Sequence, residues 1–142
     1  MSIFLNNKVG FKIATIDLST RVTSFSLNRV SDQIEVSAMG DTSHKFVTGL
    51  SSDTISVSFL NDDAASGAGS VRATLQAAYG TTVAFAAIQD STSAVSTTNP
   101  LYTGTILVDN LTDINGAVAD EAMMDITFTC NSKTAVATTG TW

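Results

Sequence analysis

Two alternating segments on either side of a polar stretch place the strongest constraint on how this chain can fold. Residues 34–38 and 55–59 each alternate apolar with polar side chains. A period of two puts the apolar set on one face of a β-strand. The connection between them, residues 40–53, is longer than the roughly two to five residues of an ordinary hairpin loop. Because long loops on a β-scaffold commonly carry contacts, this one is predicted to meet a neighbouring molecule.

The predicted contact is made by one run of small, polar and charged residues that ends with two apolar side chains, a threonine and a glycine. The run consists of Gly40, Asp41, Thr42, Ser43, His44, Lys45, Phe46, Val47, Thr48 and Gly49.

The remaining segments also predict a mainly β protein. Residues 122–130 are predicted to form a strand that alternates from Met124 onward, and residues 101–114 have the composition of a strand. Asn115-Gly116 between them is a strong hairpin signal. One short helix is predicted over residues 70–79, because Val71, Leu75 and Ala78 share one helical face. The prediction is therefore a β-sandwich or small barrel with one flanking helix.

The length of 142 residues suits a single domain, residues 1–142. Within it we distinguish an N-terminal arm at residues 1–10, the long loop at residues 40–53 and a C-terminal arm at residues 131–142. An open β-sheet has edges that pair readily with other chains. Self-association through such edges is therefore expected.

The charge balance argues against tight nucleic-acid binding. The formal net charge is −6, and the seven Lys and Arg residues are scattered along the chain. Proteins that hold DNA or RNA neutralise phosphates with clustered basic side chains, and no such cluster is present in the sequence.

Membrane and secretion signals are also missing from the sequence. No apolar run approaches the roughly 18 residues needed to span a bilayer. The first residues contain too short an apolar run for a signal peptide. The single cysteine, Cys130, excludes a disulfide within the chain. We therefore expect a protein made in a cytoplasm, without a membrane partner.

Catalytic and metal-binding patterns are weak. His44 is the only histidine, and without a motif it is interpreted as a loop or interface residue. Cys130 alternates with apolar residues and is interpreted as a buried structural thiol. Asp62-Asp63 and the acidic residues at 120, 121 and 125 lack the spacing of a calcium loop. No enzymatic activity, metal or cofactor is expected.

Several ordered pieces of the sequence resemble the major tail tube proteins of long-tailed bacteriophages. The pieces are IEVSA followed by GDT, Gly49-Leu50 before the strand that ends at Phe59, the helix after Asn61-Asp62, and NPLY at residues 99–102. The resemblance covers residues 13–131 and depends on their order rather than on a single motif.

The resemblance implies a β-sandwich or barrel with a flanking helix, assembled into stacked hexameric rings that form the tail tube. It implies a location in the virion tail, after synthesis in the cytoplasm of a bacterial host. The implied partners are other copies of the chain, the tape measure protein, the tail terminator and the distal tail protein. Double-stranded DNA would pass through the tube without tight binding. Residues 40–49 would stack one ring on the next, and residues 1–10 and 131–142 would be bridging arms.

An acidic or neutral bore would let DNA slide, whereas a basic bore would hold it. Asp109, Asp113 and Asp125 are the acidic residues that we predict to face the lumen.

Two other functional classes remain open at this point. One is a phage decoration or receptor-binding β-module, which would share the fold but present one exposed patch and form no tube. The other is a small hydrolase, which the lone histidine disfavours.

Overall fold

Ten strands and one α-helix follow one another along the chain, which the computed structural model describes at residue 3 and at residues 6–142. Part of the predicted N-terminal arm, residues 1, 2, 4 and 5, lies outside the described residues. Short 3₁₀ turns occur at Asn6–Lys8 and Ser19–Arg21. The elements are β1 Gly10–Ile13, β2 Ile16–Asp17, β3 Val22–Asn28, β4 Ser31–Glu35, β5 Phe46–Ser51, β6 Thr54–Leu60, α1 Val71–Ala78, β7 Thr82–Ile88, β8 Leu101–Leu107, β9 Met123–Cys130 and β10 Ala135–Ala137.

Eight of these strands form one antiparallel sheet in the order β2-β1-β7-β8-β9-β6-β3, with β10 paired to β8. The sheet curls around a core, so that Phe11 of β1 lies close to aromatic rings from distant strands. Its ring centroid is 5.0 Å from that of Phe25 on β3 and 6.1 Å from that of Phe59 on β6. This confirms the predicted mainly β architecture.

Alternation in β6 and β9 matches the burial of their side chains. On β9, Met124, Ile126 and Phe128 are buried, while Asp125 and Thr127 are exposed. The register of β3 with β6 shifts between Val22 and Ser24. Such a shift marks a β-bulge, which bends a strand.

The helix α1 closes over the core with the face that the sequence predicted. Val71, Leu75 and Ala78 are all buried, together with Thr74. Gly80 follows the helix with φ of +79°, a left-handed conformation that glycine adopts without a Cβ clash. The predicted helix of residues 70–79 is thus confirmed as Val71–Ala78.

The predicted strand at residues 101–114 is shorter than expected, since β8 ends at Leu107. Residues 108–122, here named the β8–β9 loop, have no regular structure. The predicted hairpin turn at Asn115-Gly116 is wrong, because a type I′ turn needs positive φ at both residues and neither has it. Instead, the Asn115 side chain donates a hydrogen bond to the carbonyl of Met123 at 2.9 Å.

The C-terminal segment packs on its own domain. β10 pairs with the first half of β8, placing Val136 opposite Tyr102. The Nζ of Lys12 lies over the Trp142 ring, 4.3 Å from the ring centroid. The ring also lies against Gly10, where an added Cβ would come within 2.5 Å of it.

Candidate functional site

The stretch predicted to be a contact loop is a protruding β-hairpin. β4 and β5 pair only with each other and form a separate two-stranded sheet. They continue β3 and β6 outward, because the β3–β6 pairing stops at Asn28 and Thr54. We call residues 30–52 the arm. The interpretation of residues 40–53 as a loop is corrected here, since Phe46–Ser51 is strand β5.

The tip of the arm is organised by Asp41. Its Oδ2 accepts a hydrogen bond from the Ala38 N–H at 2.7 Å, and its Oδ1 accepts one from Lys45 Nζ at 2.7 Å. The hydrogen bond from Ala38, followed by that from Lys45, lowers the pKa of the Asp41 carboxyl. Gly40 beside it has φ of +93°. The tip is therefore a specific turn, and Thr42 and Ser43 form its exposed end.

His44 lies on the arm rather than in a pocket. Its Nδ1 is 2.6 Å from Oε1 of Glu35 on the opposite leg, and its ring centroid is 6.4 Å from that of Phe46. Both side chains are exposed to solvent. This geometry is that of a surface histidine on a hairpin.

Apolar side chains are exposed along the arm. In the described part of the chain, twelve large hydrophobic residues are exposed, and seven of them lie between residues 30 and 50. These seven are Val30, Ile34, Val36, Met39, Phe46, Val47 and Leu50. A concentration of exposed apolar residues on one projection is typical of interaction surfaces.

Both faces of the arm carry such side chains. Ile34 on β4 lies directly opposite Val47 on β5, so their side chains share one face, and Val36 follows on it. Phe46 lies opposite Glu35 and points to the other face. An arm that is apolar on both faces fits between two surfaces better than onto one.

The β8–β9 loop runs along β9 from the arm end of the main sheet, where Leu107 pairs with Thr129, to the opposite end. β6 runs from the arm at Thr54 to Leu60, and Leu60 pairs with Met123, which directly follows the loop. The Asn61 N–H donates to the Ala122 carbonyl at 2.9 Å, which fixes the loop there. Ile114 and Val118 are 94% and 101% exposed. Exposed apolar residues thus occur at both ends of the sheet.

Strand β3 forms one edge of the main sheet. It pairs with β6, and no strand in the described part of the chain pairs with its other edge. Beside this edge is a cleft of about 460 Å³, whose lining includes Phe25, Leu27, Ala87 and Tyr102. Unpaired backbone groups along this edge provide a place where another strand could add.

The outer surface of β3, β6 and β9 is a grid of short polar side chains, which we name the polar face. The strand registers align them in three rows. The rows are Ser24, Ser58 and Asp125; Ser26, Ser56 and Thr127; and Asn28, Thr54 and Thr129. None of them is buried, and the grid includes no Lys or Arg.

The three acidic residues predicted to face a lumen are not brought together. Asp125 lies on the polar face and accepts a hydrogen bond from the Ser58 hydroxyl. Asp109 is beyond β8 and accepts from Asn110, which also donates to the Thr127 carbonyl at 3.3 Å. Asp113 lies in the β8–β9 loop and lines a cleft of about 560 Å³ with Asp63 and Arg72.

Groups that could support catalysis or metal binding are sparse in the described residues. Among them, no three His, Cys, Asp or Glu side chains form a group that could hold a metal ion. Cys130 is half-buried, and burial together with the nearby Asp53 charge raises the pKa of its thiol, which favours the less nucleophilic protonated form. No helix in the part of the chain that the structure describes is long and apolar enough to cross a membrane.

Several residues of these surfaces were not predicted from the sequence to be contact residues. They include Ile34, Val36 and Leu50 on the arm, and Ile114 and Val118 at the opposite end. Adjacent Phe46 and Val47 were a usable signal, since two consecutive apolar residues in a strand put apolar groups on both of its faces.

Among known proteins, the chain is similar in fold to several solved structures. No family model matches the sequence, and no curated protein matches it. The fold is similar to a chain of the SPP1 tail tube, with TM-score 0.73 and 10% identity, covering 96% of this chain and 80% of that one. It is also similar to a chain from the virion of a native gene transfer agent particle, with TM-score 0.69 and 11% identity, covering 97% and 100%.

A further similarity is to a chain in the tail of an empty gene transfer agent particle with C6 symmetry. The TM-score is 0.59, the identity is 16%, and the match covers 84% of this chain and 83% of that one. At sequence identities this low, the structural similarity establishes the fold alone. The chain therefore has the fold of the tail tube proteins, as its resemblance in sequence predicted.

Proposed function

We propose that this protein is the structural subunit of a phage tail tube, in which copies assemble into stacked rings around a channel for double-stranded DNA. The observation that carries the proposal is the arm, which projects from the sheet and exposes apolar side chains on both faces. Exposing these apolar side chains to water is unfavourable in free energy, and another copy that covers them would remove this cost.

The unpaired edge of β3 supports ring formation. A heterologous contact made by this edge would close into a ring if the rotation between neighbours permits it. Six copies are the proposed number, because the fold is shared with a gene transfer agent tail that has C6 symmetry.

The opposite positions of the arm and the far end of the β8–β9 loop support stacking. A head-to-tail stack needs different surfaces at the two ends of each subunit, and here each end exposes apolar side chains. In the proposed assembly, the arm, including the predicted contact residues 40–49, meets the β8–β9 loop end of a copy in the next ring. The C-terminal segment at residues 131–142 is a further proposed contact.

The polar face supports the role of conduit wall. Its short hydroxyl side chains and absence of basic groups would give passing phosphates no cation to bind. Of the three predicted lumen residues, Asp125 fits this wall directly. Asp109 lies beside its edge, and Asp113 fits the stacking end of the subunit better.

The resemblance supplies the remaining proposed partners, namely the tape measure protein, the tail terminator and the distal tail protein. The proposed location is the virion tail, following synthesis in the host cytoplasm. In this role the protein is structural rather than catalytic.

A decoration or receptor-binding module would need one exposed patch. Exposed apolar residues at two opposite ends of the sheet favour the tube over that alternative.

Static light scattering over a concentration series tests the proposal most simply. We expect the purified chain to grow into particles far heavier than a hexamer. A variant with serine at both Ile34 and Phe46 should not grow beyond small species. Growth that is unaffected by these substitutions would refute the role of the arm.

A further inference from the structure

The base of the arm contains a buried carboxylate, that of Asp53. This residue lies between β5 and β6 and is only 3% exposed. Its Oδ2 accepts a hydrogen bond from the Thr134 N–H at 2.9 Å, and its Oδ1 accepts one from the Val30 N–H at 3.3 Å. Its main-chain carbonyl accepts a third, from the Cys130 N–H at 3.0 Å.

These hydrogen bonds cross the junction between the arm and the main sheet. The β3–β6 pairing ends at Asn28 opposite Thr54, and the β4–β5 pairing begins at Ser31 opposite Ser51. Between the two, the Ser52 N–H donates to the Val30 carbonyl at 2.6 Å. Asp53 reinforces this short junction from inside the domain.

The partners of Asp53 belong to separate parts of the chain. Val30 is on the outgoing leg of the arm, Cys130 ends β9, and Thr134 directly precedes β10. β10 is itself held on β8 through the Val136–Tyr102 register. One side chain therefore joins the arm to the C-terminal segment.

The electrostatics of the site fit a charged carboxylate. Burial raises the pKa of Asp53, but the hydrogen bonds from Thr134 and Val30 and the charge of Arg29 more than offset it, so the pKa is lowered. A buried carboxylate is tolerated only when it is hydrogen-bonded in this way.

We propose that Asp53 is a positioning residue that fixes the arm relative to the domain and couples its orientation to the C-terminal segment. When Thr134 moves, its hydrogen bond to Asp53 is lost. The Asp53 side chain then holds Val30 less firmly, and the arm gains freedom at the junction. The two segments that are proposed to contact neighbouring copies are thereby linked within one subunit. The relevance to assembly rests on the proposed function, whereas the coupling is a property of the single chain.

Hydrogen–deuterium exchange of the unassembled chain tests the coupling. Asp53→Asn replaces one acceptor oxygen with an NH₂ group, which cannot accept the Val30 or Thr134 N–H. We expect at least roughly tenfold faster exchange in the arm and around Thr134, the factor expected for losing one hydrogen bond to a charged group. Asp90→Asn is the matched control, because Asp90 also accepts hydrogen bonds through both carboxylate oxygens, from Thr92 and Ser93 of its own loop.

Val136→Pro tests the same link from the other side without changing the arm base. Proline lacks the N–H of a paired strand residue and should loosen β10 on β8. We expect faster exchange in the arm as well as in β10, while β6 and β9 keep their protection. This variant also keeps the test decisive if Asp53→Asn does not fold.

Faster exchange around Thr134 with an unchanged arm, in either variant, would overturn the coupling. An unchanged rate in both segments of Asp53→Asn would overturn the positioning role. Neither result depends on tube formation, so a failure of the proposed function, seen as a chain that never assembles, is distinguishable from a failure of this inference.

Discussion

Ile34 lies directly opposite Val47 across the two strands of the arm, and both side chains are half exposed on the same face. Cross-strand pairs of β-branched residues of this kind normally face a hydrophobic layer. Here nothing in the described part of the chain covers the pair. The layer that covers it in the proposed assembly belongs to another copy.

Substitutions on each face of the arm should separate assembly from folding. Ile34→Ser and Phe46→Ser, tested singly, should each reduce assembly at least tenfold in sedimentation assays, because they remove apolar contacts on opposite faces. Each should change the free energy of unfolding by less than about 0.5 kcal/mol, as exposed substitutions usually do. Tyr79→Ser is the control, since Tyr79 is 54% exposed and Phe46 is 53% exposed. Normal assembly of both arm variants would contradict the two-sided contact.

The opposite end of the subunit should be needed for the same contact. Replacing Ile114 and Val118 with aspartate should stop growth, because it puts charges where the arm is proposed to pack. Mixed with the Phe46→Ser variant, this protein should form short two-layer particles, because one intact arm and one intact loop end remain. Size-exclusion chromatography with light scattering measures this. Full recovery of long particles in the mixture would argue against head-to-tail stacking.

Basic residues introduced on the polar face should make the assembled particles bind double-stranded DNA. Ser26→Lys combined with Thr127→Lys should allow assembly and make the particles retain double-stranded DNA, with retention falling steeply as salt increases. Thr97→Lys, in an exposed loop outside the polar face, adds a positive charge as the control. Co-sedimentation with DNA across a salt series distinguishes them. Equal retention of DNA by the two proteins would show that the polar face does not line the bore.

The helix should contribute to stability through Leu75, whose side chain is fully buried. Leu75→Ala should lower the free energy of unfolding by about 2–5 kcal/mol, the range for deleting a buried leucine. Leu50→Ala on the arm is the matched control, because Leu50 is 81% exposed and should change stability by less than about 0.5 kcal/mol. Urea unfolding followed by circular dichroism gives both values. Similar losses for the two leucines would contradict the packing of the helix.

Acid should weaken the domain through Asp53. Its pKa is lower in the folded chain than in the unfolded chain, so its stabilisation is present above the unfolded value of about 3.9 and is lost as the pH falls through the folded value. The stability difference between wild type and Asp53→Asn should therefore be largest near neutral pH and shrink below about pH 4. Urea unfolding at pH 7 and pH 3 tests this. A stability difference that does not change with pH would show that the charge of Asp53 does not stabilise the fold.

Strands that face the core of their own chain were readily predicted from the sequence. In β9, the alternation of Met124, Ile126 and Phe128 with polar residues matches their burial, and in α1 the spacing of the apolar residues matches the buried face. In both cases the side chains that create the pattern also form the core.

The arm was harder to predict because alternation reports that a face is covered, without indicating which chain covers it. Ile34 and Val36 have the pattern of a core strand but are exposed on a projection. The role of Asp53 could not be predicted from the sequence, because it bonds to the main-chain N–H groups of Val30 and Thr134, which are remote in sequence. The side chain of Asn115 bonds to Met123 instead of making a turn, which a dipeptide preference does not reveal.

Negative-stain electron microscopy of the concentrated wild-type protein would show directly whether it forms a tube. We expect hollow tubes with six-fold end views for the wild type, and no tubes for the Ile34→Ser/Phe46→Ser variant. Solid filaments, closed particles without a channel, or tubes that form equally well with the altered arm would contradict this expectation.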